Sequence, residues 1–238
     1  MTEAAVSCAA LSKRYGTHVA LNHLTVEIPK GRMVGVFGPN GAGKSTLFRV
    51  LTGLVRTGSG QVTVLGSAPG WRTNAAIAYL PDRARWYSNH TVDDALHWGR
   101  TLLPGFDYGS AVRIAESMGL ELASRVYGLS RGTEARLMLT LCLARQVPLM
   151  ILDEPLAGID MISREQIIAA LVESMTEQEK TILISTHEIY EAESLFDYAV
   201  FLHGGQVVRE GDTDALRSQH GSIRDMMREL YGGREDAR

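Results

Sequence analysis

Apolar positions come in short blocks through the first third of the chain. Residues 6–11 and 19–28 have strand character, and the second block closes on the turn sequence Pro29-Lys30-Gly31. Residues 33–37 form a compact apolar run that predicts a buried strand. The run Gly38-Pro39-Asn40-Gly41-Ala42-Gly43-Lys44-Ser45-Thr46 follows at once. Leu47, Val50, Leu51 and Leu54 then recur at helical spacing, with Gly53 near the helix end. Residues 61–65 and 76–80 predict two more strands.

The pattern then changes. Residues 91–103, 109–119 and 133–145 read as helices, and no strand signal occurs from about 82 to 146. This predicts a small helical subdomain inserted into an α/β domain. Strand signals resume at 149–152 and 181–185, with a helix over 163–175 between them. Residues 198–202 and 206–209 flank His203-Gly204-Gly205, a hairpin signal. Ile223, Met226, Met227 and Leu230 predict an amphipathic helix over 222–231, packed on its own domain rather than on a membrane.

Composition narrows the function classes. The chain has 238 residues, 45% hydrophobic and 21% charged, which permits a real core and excludes a disordered or fibrous chain. Its 24 basic and 27 acidic residues give a net charge of −3, without the basic excess of a nucleic-acid binder. The longest apolar stretch, 137–144, is interrupted by Thr140 and followed by Arg145. It is far shorter than the roughly 20 residues of a spanning helix. Glu3 stands where a signal peptide carries basic residues, so no leader is expected. Cys8 and Cys142 fit no metal or redox spacing and read as buried thiols in a reducing compartment. The histidines show no ligand spacing, so no zinc site is expected.

Gly38 to Ser45 matches G-x-x-x-x-G-K-[ST] without a gap, between an apolar strand and an apolar helix. Such a loop wraps its N–H groups around phosphate oxygens, which glycine permits. Lys44 supplies a cation, Ser45 a hydroxyl ligand for Mg²⁺, and the helix points its positive end at the anion. A second acidic site ends the strand at 147–152 with Asp153-Glu154-Pro155. Asp153 is the expected Mg²⁺ partner, through water, and Glu154 the group that polarises the attacking water.

These motifs, in this order, resemble the ATP-binding cassette ATPases of ABC transporters over nearly the whole chain. The resemblance implies an α/β fold: a P-loop NTPase core with an antiparallel β-subdomain and an inserted helical subdomain. It implies one domain over 1–238, with the core in 1–81 and 147–238 and the helical part in 82–146. Tyr15 resembles the aromatic residue that stacks on adenine, and Gly38, Pro39, Asn40, Gly41, Ala42, Gly43, Lys44, Ser45 and Thr46 the nucleotide loop. Leu129-Ser130-Arg131-Gly132-Thr133 resembles the signature Leu-Ser-Gly-Gly-Gln, with Ser130, Arg131 and Gly132 facing ATP on a second subunit. Ala157-Gly158-Ile159-Asp160 resembles the loop after the catalytic glutamate, and His187 the switch histidine at the γ-phosphate. The resemblance implies ATP and Mg²⁺ and a head-to-tail dimer, with itself or with a related cassette. It also implies a separate integral membrane permease and a place on the inner face of the cell membrane.

The sequence departs from the family at three positions. Asp82 stands after Tyr79-Leu80-Pro81 where the family has glutamine, and is carried as a Mg²⁺ candidate that is shorter and fully charged. Arg131 replaces a signature glycine and Thr133 its glutamine. Leu-Pro-Asp and Leu-Ser-Arg-Gly look closer to export cassettes of the antibiotic-resistance and lantibiotic-immunity kind than to nutrient importers. Arg83, Arg85, Trp86 and Tyr87 read equally as a solvated loop anchored by one aromatic or as a contact surface for the membrane subunit. A soluble cassette acting on a macromolecule is the alternative. The absence of a second cassette or a heptad insertion argues against it, and a small-molecule kinase leaves the signature, Glu154 and His187 unexplained.

Overall fold

The structure is a computed structural model, and it describes residues 3–82, 86–87, 89–177, 180–186 and 193–232. The chain folds as two compact units, one of Met1–Asn74 with Thr181–Arg238 and the other of Ala75–Lys180.

The first unit opens with β1 (Ala4–Tyr15) and β2 (His18–Pro29), an antiparallel hairpin in which Tyr15 pairs with His18. After β3 (Met33–Phe37) and α1 (Lys44–Leu51), β4 (Ser59–Val64) joins β1, giving the order β2-β1-β4. Both hairpin strands run longer than their apolar pattern suggests, because bulges break the alternation. Ala10 and His23 sit at φ 49° and 50°. Their N–H groups are taken by Thr25 Oγ1 and Ser12 Oγ, each at 3.0 Å. A short helix, α2 (Trp71–Asn74), ends this part and has no apolar period by which a sequence could announce it.

The second unit pairs β5 (Ile77–Leu80) in parallel with β6 (Leu149–Asp153), Leu80 opposite Leu152. Between them run α3 (Val92–Leu102), α4 (Tyr108–Ser117) and α5 (Arg131–Leu143), and α6 (Met161–Glu177) follows β6. Thr91 and Asp94 close a reciprocal capping box that starts α3. Leu137, Met138, Leu139, Thr140, Cys142 and Leu143 are all buried, so α5 is covered almost all round and shows no polar face over that stretch. Arg145, 6% exposed, ties the end of this helix region to β5. Its guanidinium donates to the carbonyls of Ile77, Ala75 (3.1 Å) and Pro104 (3.0 Å).

Back in the first unit, β7 (Thr181–Thr186) is buried throughout. β8 (Tyr198–His203) and β9 (Gln206–Asp212) form the expected hairpin. β3 lies between β7 and β8, parallel to both, which makes it the centre of this sheet. The sequence pattern leaves α7 (Thr213–His220) unannounced. Only Thr213 and Leu216 are buried there, and the Asp212 cap, which accepts from Asp214 N, starts it instead. α8 (Ile223–Tyr231) buries Ile223 and Met226, and Tyr231 Oη donates to Leu202 O at 3.0 Å, so it packs on its own unit. Among the described residues no helix is long and apolar enough to cross a membrane.

Candidate active site

Residues 38–43 link β3 to α1, and Lys44, Ser45 and Thr46 open the helix. The tip of the β8–β9 hairpin supports this loop from behind: Gly205 N donates to Ala42 O at 3.0 Å, and Asn22 N to Gly205 O at 2.9 Å. The glycines answer to that support as well as to a phosphate. A Cβ on Gly38 would lie 2.5 Å from Leu202 O, and one on Gly43, at φ 109°, 2.6 Å from Ala20 O. The front of the loop differs, since Asn40 and Gly41 are exposed and nothing stands within 4 Å of a Cβ on Gly41.

The start of α1 is unlike the other capped helices. Side chains cap α3, α4, α5, α7 and α8, whereas α1 begins at Gly43 with no side-chain cap and no acid in its first turn. A helix N-terminus left in this condition suits an external anion. Lys44 is 5% exposed and donates to Gly38 O at 2.7 Å and Pro39 O at 3.4 Å, so its ammonium lies folded into the loop. Ser45 and Thr46 follow, half-buried, in the first turn. Tyr15 is 44% exposed at the β1–β2 turn, with the Lys13 ammonium 5.3 Å from its ring centroid.

In the second unit, strand register gathers the acids. Because Leu80 pairs with Leu152, the residues just beyond both strand ends come together. Asp82 and Glu154, with Arg131 and Glu134, line one cleft of about 360 Å³. Asp153 ends β6 at 1% exposure. Glu154 has φ 52°, a left-handed conformation that costs a non-glycine residue about 1–3 kcal/mol. The turn closes by Ala157 N donating to Glu154 O at 3.2 Å.

Ser130 caps α5 by accepting from Thr133 N at 3.2 Å, and its Oγ lies 2.8 Å from Thr133 Oγ1. Gly132 is buried for a reason the motif does not state. A Cβ there would stand 2.5 Å from both Asp160 Oδ2 and Ser163 Oγ. Asp160 in turn caps α6, accepting from Ser163 N at 2.9 Å and Ser163 Oγ at 2.7 Å. Those bonds hold its carboxyl below the usual range. Arg131 covers the neighbouring residue, its Nη1 2.9 Å from where a Gly158 Cβ would be. The signature turn and the 157–160 loop therefore interlock within one subunit.

Sequence reading did not single out Glu134 or Ser163, and it named Gly158 only as part of the loop after Glu154. Only the left-handed Gly158, φ 64°, had a signal in its residue type. The two readings of the aromatic pair divide: Trp86 is half-buried and donates to Glu134 Oε1 at 2.7 Å, while Tyr87 is 74% exposed. Arg83, Arg85 and His187 lie outside the described residues.

The chain is similar to known proteins over most of its length. Residues 21–157 match the family model described as ABC transporter. A lantibiotic transport ATP-binding protein, SrtF, of Streptococcus pyogenes is 32% identical over 86% of this chain and 89% of its own length. A Nod factor export ATP-binding protein I of Bradyrhizobium diazoefficiens is 33% identical over 98% of this chain and 78% of its own. Among solved structures, an ATP-binding subunit of an ABC transporter superposes with TM-score 0.82 at 27% identity, covering 94% of this chain and 98% of that one.

Proposed function

The chain belongs to the ABC transporter family of ATP-binding proteins, and from that premise we propose that it is the ATP-hydrolysing subunit of an exporter whose membrane path is a separate permease. The single observation that carries the reading is the uncapped, acid-free start of α1 with the Lys44 ammonium folded into the loop before it. Lys44 and the loop N–H groups receive the β- and γ-phosphates, and the open front at Gly41 admits them. Tyr15 offers an exposed ring to the adenine.

The donor chemistry fits Mg²⁺. The Ser45 hydroxyl and the buried Asp153 carboxylate are hard oxygen donors. Among the described residues no group of three or more His, Cys, Asp or Glu forms a dedicated cage. Mg²⁺ held by one or two protein oxygens, water and substrate phosphates is its usual mode. Once bound, the ion neutralises charge on the phosphate oxygens. Glu154, half-buried at its strained turn, orients the attacking water and accepts its proton. His187 takes the switch role, and Asp82 faces the same cleft as Glu154.

Ser130, Arg131 and Gly132 present the start of α5 to the γ-phosphate bound by a second cassette, identical or related, in a head-to-tail pair. Asp160 couples that surface to the catalytic turn through its contact with Gly132. The permease engages the apolar groove of about 450 Å³ lined by Trp86, Tyr87, His90, Trp98 and Leu102. On this reading the protein works at the inner face of the membrane, and the export and lantibiotic relatives support export.

The test is Glu154→Gln with ATP and Mg²⁺. ATP binding persists, turnover falls by about 10²–10⁴-fold and an ATP-bound dimer accumulates in size-exclusion chromatography. Turnover at the wild-type rate removes Glu154 from its role.

A further inference from the structure

Between Glu27 and Asp82 the chain carries no acidic residue, although acids outnumber bases 27 to 24 overall. The bases in that interval are Lys30, Arg32, Lys44, Arg49, Arg56 and Arg72. Lys30 pairs with Glu3 at 2.6 Å, Arg32 lies 3.8 Å from Asp212, and Lys44 is buried in the phosphate loop. Arg49, Arg56 and Arg72 are exposed, and among the described residues none has an acid partner.

Two large apolar residues, Leu54 and Trp71, lie in the same stretch of chain as these arginines. The Gly53 and Gly70 backbones pack so closely that a Cβ on Gly53 would lie 3.0 Å from Gly70 N. Asn74 Nδ2 donates to Thr52 O at 2.8 Å and fastens α2 to the end of α1. Leu54 and Trp71 each follow one residue beyond these packed glycines, and both are exposed, 62% and 79%. Trp71 is the most exposed of the large apolar side chains described, and the Arg72 guanidinium carbon lies 5.1 Å from its ring centroid.

We propose that this corner of the first unit is a lipid-contact surface, seating Trp71 and Leu54 among the headgroups of an anionic bilayer while Arg49, Arg56 and Arg72 meet the phosphates. Indole is the side chain that settles at a membrane interface, apolar in body and able to donate from its N–H. Arginines around it add attraction to an anionic leaflet, and an acid-free stretch spares them competing partners. The shape also favours lipid over a folded protein. Leu54 and Trp71 are bare tips, and none of the described cavities includes either of them. The inference goes beyond the transport reading and needs neither nucleotide nor permease.

The experiment is flotation of the purified full chain with phosphatidylglycerol-rich vesicles and with pure phosphatidylcholine vesicles, without nucleotide. Binding to the anionic vesicles that falls with added salt is expected. Arg72→Gln weakens it roughly fivefold, the factor equivalent to about 1 kcal/mol per base at an anionic surface. Trp71→Ala weakens it at least about tenfold, the scale of burying a large apolar side chain. Both side chains are exposed, so circular dichroism and basal ATPase activity of the variants stay at wild-type level. Equal flotation with both vesicles, unchanged binding of Trp71→Ala, or binding only when the permease is present overturns the proposal, the last identifying a protein contact instead.

Discussion

Gly132 and Asp160 are in contact within one subunit: a methyl group on Gly132 would stand 2.5 Å from the Asp160 carboxylate. The glycine of the signature is thus required by the loop packed behind it, whatever it does for a nucleotide in front. Gly132→Ala must push away a carboxylate held by Ser163 N and Oγ, so the expected loss is about 1–3 kcal/mol, the usual scale of overpacking. Denaturant unfolding of the isolated subunit measures it. A stability equal to wild type shows that the 157–160 loop yields freely and that the interlock is slack.

Glu154 joins strain to chemistry. At φ 52° it occupies a conformation that glycine adopts without penalty. Glu154→Gly abolishes turnover and raises thermal stability, by about 1 kcal/mol after glycine's own entropy cost is subtracted. Calorimetry of this variant beside Glu154→Gln separates the two effects, because glutamine keeps the strain. Equal melting temperatures for the pair mean that the turn stores no strain.

Arg145 supports the second unit through backbone carbonyls rather than a carboxylate. Burial lowers the pKa of its guanidinium, and the bonds to Ala75, Ile77 and Pro104 offset the desolvation. Arg145→Met leaves those carbonyls without their donor and costs about 3 kcal/mol or more. An urea midpoint within error of wild type contradicts that role.

Both cysteines are buried, and burial pushes each thiol up to about 12 from 9.0. The native protein therefore resists alkylation at pH 8, and denaturation releases both thiols together. A group with a raised folded pKa contributes stability below its unfolded value that is lost as pH rises through the folded one. Stability accordingly declines between about pH 9 and 12 on their account. Rapid labelling of either thiol in the native state, read by mass spectrometry, contradicts this burial.

Local chemistry by itself determined much of this protein. The order strand, glycine loop, helix needs only residue types at close spacing, so the Lys44 loop and the acids at the end of β6 could be read directly. The longer apolar blocks likewise announced their strands and helices, because burial on one face imposes a period on the residues. Tertiary structure decided what no local pattern encodes. The parallel register of Leu80 on Leu152 brings Asp82 and Glu154, 72 positions apart in the numbering, to one cleft. The support of Ala42 by Gly205, the grip of Arg145 on three carbonyls and the contact of Gly132 with Asp160 are likewise long-range. Each depends on which backbone passes behind which residue, and that is set by packing of the whole chain rather than by the residues on either side.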